Sequence, residues 1–100
     1  MLTIGQQADL REACLEFLAV RYPNAYTADA IARMLMRRQR IDYPVTASDV
    51  VAAVAFLKDE GFAASVTDSL AVVPGWQATS QGVARFQRRR VEQNPAEGEV

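Results

Sequence analysis

One hundred residues with 50% apolar and 23% charged side chains, and only nine Gly or Pro, describe one globular domain with a single core, too short for a large enzyme fold. The absence of histidine removes Ser-His-Asp and Cys-His catalysis and imidazole metal sites, and the one cysteine, Cys14, forbids an intrachain disulfide and a multi-cysteine zinc site. The net charge is only -1, but it is unevenly spread: Arg33, Arg37, Arg38 and Arg40 fall in one acid-free window, Arg85, Arg88, Arg89 and Arg90 in another, and residues 1–91 carry eleven basic against nine acidic residues, a net +2.

The N-terminal stretch mixes acids and an arginine into its apolar pattern, unlike a signal peptide, and the longest apolar run, Val50 to Leu57, is far short of a bilayer span. With the free thiol, this predicts a soluble cytoplasmic protein that does not enter a membrane. Leu10, Ala13, Cys14, Phe17, Leu18 and Arg21 follow the spacing of one helical face, with Asp9, Glu12 and Glu16 on the other side. Cys14 therefore belongs to the core. Leu15 and Ala19 fall off the stripe and face either the N-terminal residues or another subunit.

Tyr22-Pro23-Asn24 stops this helix, and Thr27 caps a second one, with Tyr26 and Ile31 placed for a hydrophobic staple and Asp29 in the first turn. Ile31, Met34 and Leu35 face inward, which puts Arg33, Arg37 and Arg40 on the outer side, with Arg38 beside them. The segment from Arg38 to Pro44 either extends this helix or presents Arg38, Arg40 and Tyr43 as a separate surface. Thr46 caps a third helix, Asp49 completes a capping box, Val45 can staple to Val50, and Gly61 supplies the left-handed stop. Its core stripe is Val50, Ala53, Val54 and Leu57.

After Gly61 the period changes. Phe62–Val66 and Leu70–Val73 read as two strands around Thr67-Asp68-Ser69, with Pro74-Gly75 ending the second and Trp76-Gln77-Ala78 a short extension. Thr79 caps a fourth helix that directs Val83, Phe86 and the stem of Arg90 inward, until Asn94-Pro95 ends it. Residues 1–91 are expected to form the domain and residues 92–100 a flexible acidic tail.

This order resembles the winged helix-turn-helix family: an α+β, mostly helical fold of a three-helix bundle, a β-hairpin wing and a C-terminal helix. The resemblance rests on "TADAIARML" (Thr27 to Leu35) for the family's second helix, "VTASDVVAAVAFLKDEGF" (Val45 to Phe62) for its third, and "WQATSQGVARF" (Trp76 to Phe86) for its closing strand, threonine, glycine and helix. It implies a small regulator that binds duplex DNA, with Thr46 and Ser48 at the start of the third helix contacting bases or phosphates and a homodimer completing the site. Charge adds Arg33, Arg37, Arg38 and Arg40 as phosphate contacts.

Two features depart from the family pattern. The outer face of the third helix is Ser48, Ala52, Ala55, Phe56 and Asp59, with Ser48 the one base-reading side chain, and the wing tip lacks the usual Arg or Lys. The competing expectation is therefore a winged helix that binds protein through Ala52, Phe56 and Leu15. No Gly-rich phosphate loop, metal-ligand cluster or cofactor motif suggests an enzyme.

Overall fold

The computed structural model describes residues 2–67 and 73–93, in the order α1 (Ile4–Val20), β1 (Tyr26–Thr27), α2 (Ala28–Arg37), α3 (Ala47–Asp59), β2 (Ala63–Val66), β3 (Gly75–Ala78) and α4 (Ser80–Gln93). The helix starts follow from local chemistry. Thr3 and Gln6 close a capping box on α1, with reciprocal bonds of 3.0 Å. Thr27 Oγ1 accepts from Ala30 N at 3.2 Å to open α2, and Thr46 with Asp49 forms the expected box on α3. Helix α3 ends as its glycine requires: Gly61 sits at φ +86°, Phe62 N bonds Leu57 O at 2.8 Å and Gly61 N bonds Lys58 O at 2.9 Å, which satisfy two of the last-turn carbonyls.

Helix α2 ends the same way without a glycine. Gln39 takes the left-handed conformation, φ 56°, while Arg40 N bonds Leu35 O and Gln39 N bonds Met36 O, both at 3.1 Å. The chain is thereby turned back toward α1, so the segment after Arg38 does not extend the helix. Ile41 and Val45 in that linker are buried in the core.

The helices pack around one core of Leu10, Ala13, Cys14, Phe17, Leu18, Ile31, Leu35, Val50, Val54 and Leu57, closed from the sheet side by Ala63, Trp76 and Ala78. The Cys14 stripe is buried as its spacing predicted. The sheet has the antiparallel order β1-β3-β2, with Tyr26 opposite Trp76 and Ala63 opposite Ala78. The Phe17 and Tyr26 rings meet edge to face at 5.1 Å. The architecture is a winged helix.

Two readings of the wing need correction. The partner of β2 is Gly75–Ala78, not Leu70–Val73, and Tyr26–Thr27, read only as a helix entry, forms a third strand. The hairpin is anchored at its base, where Thr79 N bonds Phe62 O at 3.1 Å and fixes the Ala63–Ala78 register, so strand pairing runs outward from there. The expected turn at Asp68-Ser69 and most of the Leu70–Val73 run lie outside the described residues, as do residues 94–100 and the expected helix stop at Asn94-Pro95. Helix α4 continues through Gln93, so Glu92 and Gln93 belong to the helix and not to a tail.

Thr79 and Gly82 explain the spacing between the wing and the last helix. The Thr79 hydroxyl donates to Gly61 O at 2.6 Å and accepts from Gly82 N at 3.0 Å, tying the end of α3 to the start of α4. Gly82 lies so close to the Phe62 carbonyl that no side chain fits between them.

Candidate nucleic-acid interface

In a winged helix the surface available for a groove is the side of α3 that faces away from the core. Val50, Ala53, Val54 and Leu57 face inward, which leaves Ser48, Val51, Ala52, Lys58 and Asp59 exposed and Ala55 half-buried. Val51 is 44% exposed. Val51 and Lys58 were not singled out from the sequence. Lys58 is the one cation on α3, in its last turn where it complements the helix dipole; the wheel angle of Val51, between the core stripe and Ser48, was the signal that could have found it.

Thr46 is exposed, but its hydroxyl is engaged: it accepts from Asp49 N at 3.2 Å and lies 3.1 Å from Asp49 Oδ2, to which it donates. Ser48, two residues further on, carries a hydroxyl free of such a cap.

The four arginines of the α2 region do not form one surface. Arg33 is exposed and pairs with Asp29 on the same helix, 3.1 Å between Nε and Oδ2, with side chains 71% and 68% exposed. Such a pair contributes about 0.3–0.5 kcal/mol, little enough for a phosphate to replace the carboxylate. Arg37 and Arg38 are exposed at the end of α2 and form no ion pair among the described residues.

Arg40 is a correction. Although expected on the phosphate-facing side, it turns inward and bridges Asp9 and Glu16 of α1, with both contacts at 3.4 Å. Burial alone would lower its pKa, but the two carboxylates outweigh that effect and raise it. Tyr43 joins the same cluster, its hydroxyl donating to Asp9 Oδ2 at 2.8 Å and lying 3.1 Å from Gln6 O. Burial and the Asp9 contact push the Tyr43 pKa upward. Asp9 thus clamps the linker onto α1 and fixes where α3 begins. A contact between residues 31 and 34 positions apart leaves no periodic trace in a sequence.

The second basic block is likewise divided. Arg89 Nε lies 3.2 Å from Glu12 Oε2 of α1, an approach off the N–H axis that is Coulombic without being a hydrogen bond. Arg88 is exposed. Arg40, Arg89 and Arg90 share a cleft of about 520 Å³ with Asp9, Glu12 and Glu16, where cations and carboxylates balance.

The expected protein-contact residues also separate. Leu15 is 4% exposed and part of the chain's own core, so it offers no docking surface. Phe56 is 43% exposed but points toward α1, where the Arg11 guanidinium lies over its ring at 4.0 Å. Ala52 is exposed beside Leu10 and Arg11, at the α1 edge of the α3 face. No described helix is long and apolar enough to cross a membrane.

Solved structures share this arrangement over nearly the whole chain. A PadR-like transcription factor from Bacteroides fragilis matches with a TM-score of 0.71 over 95% of this chain and 89% of its own, at 12% identity. A transcriptional regulator from Clostridium thermocellum gives 0.68 over 98% and 93%, at 11% identity. ZitR of Lactococcus lactis in its apo form gives 0.66 at 18% identity over 95% of this chain, which spans 64% of the ZitR chain. No protein-family model and no curated protein matches the sequence. At these identities the likeness establishes a winged-helix fold, shared with proteins two of which are described as a transcription factor and a transcriptional regulator.

Proposed function

We propose that this chain is a cytoplasmic regulator that binds duplex DNA as a homodimer and acts by binding rather than by catalysis. Helix α3 lies in the major groove with Ser48 leading, and Arg37, Arg38 and Arg33 neutralise phosphates beside it. The observation that carries this reading is the open outer face of α3, within a frame that a PadR-like transcription factor and a transcriptional regulator share over at least 95% of the chain. Two copies place two such helices on one duplex, which gives a small module enough contacts for specificity.

The test is binding to mixed-sequence duplex across a salt series. Each neutralised phosphate steepens the dependence of log affinity on log salt by about 0.9, so the Arg37→Ala, Arg38→Ala double variant loses about 1.8 from the slope per bound copy, or about 3.6 for the dimer. Arg40→Ala leaves the slope unchanged, because its guanidinium is held by α1. No binding at low salt contradicts the proposal.

A second reading, a protein-interaction module, draws on the apolar character of the same region, where Val51 and Phe56 are each more than 40% exposed. It predicts that Phe56→Asp changes the assembly size without unfolding the chain. The Arg11 cover over Phe56 and the burial of Leu15 leave that reading a smaller surface than the residue types suggest.

A further inference from the structure

We propose that α3 reads the C5 methyl groups of thymine, so that its preferred duplex is defined by methyl positions in the major groove more than by hydrogen bonds to base edges. This inference rests on the DNA-binding reading above and names the chemistry of its target.

The exposed side of α3 carries polar groups only at its ends, Ser48 in the first turn and Lys58 with Asp59 in the last. The two turns between them present Val51, Ala52 and Ala55, which have no side-chain donor or acceptor. Such a surface is blind to the N7, O6, N6 and N4 groups that distinguish base pairs. The one apolar feature of the major groove is the thymine methyl, and short apolar side chains are its natural partners.

Two geometric facts favour this use. Val51 and Ala55 lie one turn apart on the same side, about 6 Å along the axis, close to two base steps of about 3.4 Å, so both can meet methyls within one site. Alanine at 52 and 55 also lets the helix backbone approach the bases more closely than a long side chain would. Phe56, the larger apolar group nearby, is turned toward α1 under Arg11 and stands outside this ridge. Val51, at 44% exposed, gains a dry contact only when a partner covers it.

The experiment selects duplexes from a random library at low salt, then remakes the best with deoxyuridine for thymidine, which deletes the methyl and leaves base pairing intact. The selected sequences are expected to carry thymine, and affinity to fall about fourfold for each contacted methyl removed. Restoring methyls as 5-methylcytosine at matching positions is expected to recover part of the loss. Val51→Thr keeps the shape of the side chain and exchanges one γ-methyl for a hydroxyl. It is expected to fold normally, to keep the wild-type salt slope and to lose part of the sensitivity to uracil, with Ala55→Ser removing a further part.

A uracil duplex bound within twofold of the thymine duplex overturns this inference and leaves the DNA-binding reading standing. A methyl effect unchanged in Val51→Thr, Ala52→Ser and Ala55→Ser also overturns it, because the contact then lies elsewhere. Absence of any duplex binding overturns both readings together.

Discussion

Replacing Gly82 by alanine is expected to destabilise the protein, although alanine is the better helix former by about 1 kcal/mol. A Cβ at this position would overlap the Phe62 carbonyl oxygen and stand 3.0 Å from its carbon and 3.3 Å from its Cα, all backbone atoms. That backbone cannot yield easily, since Phe62 N is bonded to Leu57 O at 2.8 Å and Phe62 O receives Thr79 N at 3.1 Å. Relief requires α4 to move away, at an overpacking cost of about 1–3 kcal/mol and the loss of a hydrogen bond worth about 1 kcal/mol. The clash outweighs the propensity gain, for a net loss of about 2 kcal/mol, or roughly 10 °C in melting temperature for a domain of this size. Gly5→Ala is the matched control, because its Cβ would meet only Thr3 Oγ1, at 4.0 Å. Urea unfolding followed by circular dichroism should show a lower midpoint for Gly82→Ala and a midpoint no lower than wild type for Gly5→Ala, with unchanged slopes. Two stabilised variants would refute the close approach of α4 to the α3–β2 junction.

Gln39→Gly should stabilise by about 0.5–1 kcal/mol, because a left-handed residue at the end of α2 is strained with a side chain and relaxed without one; a thermal melt checks it, and a lower melting temperature would contradict it. Asp9→Ala removes the nearer of two acceptors for the Tyr43 hydroxyl and one of the two carboxylates on Arg40, and should cost about 1–2 kcal/mol while amide exchange at the start of α3 accelerates more than in the centre of α1. Uniform acceleration would show that the clamp has no local role. Burial pushes the Cys14 thiol from 9.0 up to about 12, and Tyr43 moves in the same direction. The stabilising effect of the thiol is complete below pH 9 and is lost as pH rises from 9 towards 12, where the unfolded chain releases a proton that the folded chain retains. Urea midpoints should therefore fall above pH 9, less so in Cys14→Ala, and a flat profile would argue against a buried thiol.

The parts of the fold that sequence revealed are those fixed within a few residues. Thr27, Thr46 with Asp49, Thr79 and Gly61 mark helix ends through bonds that span five positions or fewer, and the apolar stripes of α1, α2 and α3 follow from helical period alone. What stayed hidden depends on distant partners. β1 is two residues long and exists because Trp76 and Gly75 lie beside it, while the partner of β2 is Gly75–Ala78 because the hairpin register is set at its base by Thr79 and Phe62. The candidate interface shows the same division. The α3 face could be read from a wheel, apart from Val51 and Lys58, but the destination of each arginine could not. Arg40 left the expected basic surface because Gln39 turns the chain toward Asp9 and Glu16, and Arg89 is drawn to Glu12 across the α1–α4 contact.

In the proposed complex the outer face of α3 meets a duplex. Amide chemical-shift mapping of the whole chain during titration with a selected duplex addresses it residue by residue. Perturbations are expected at Ser48, Val51, Ala52 and Ala55, with further shifts at Arg37 and Arg38 and little change along the Asp9, Glu12 and Glu16 side of α1. Shifts confined to the cleft between α1 and α4, with α3 silent, would contradict this contact.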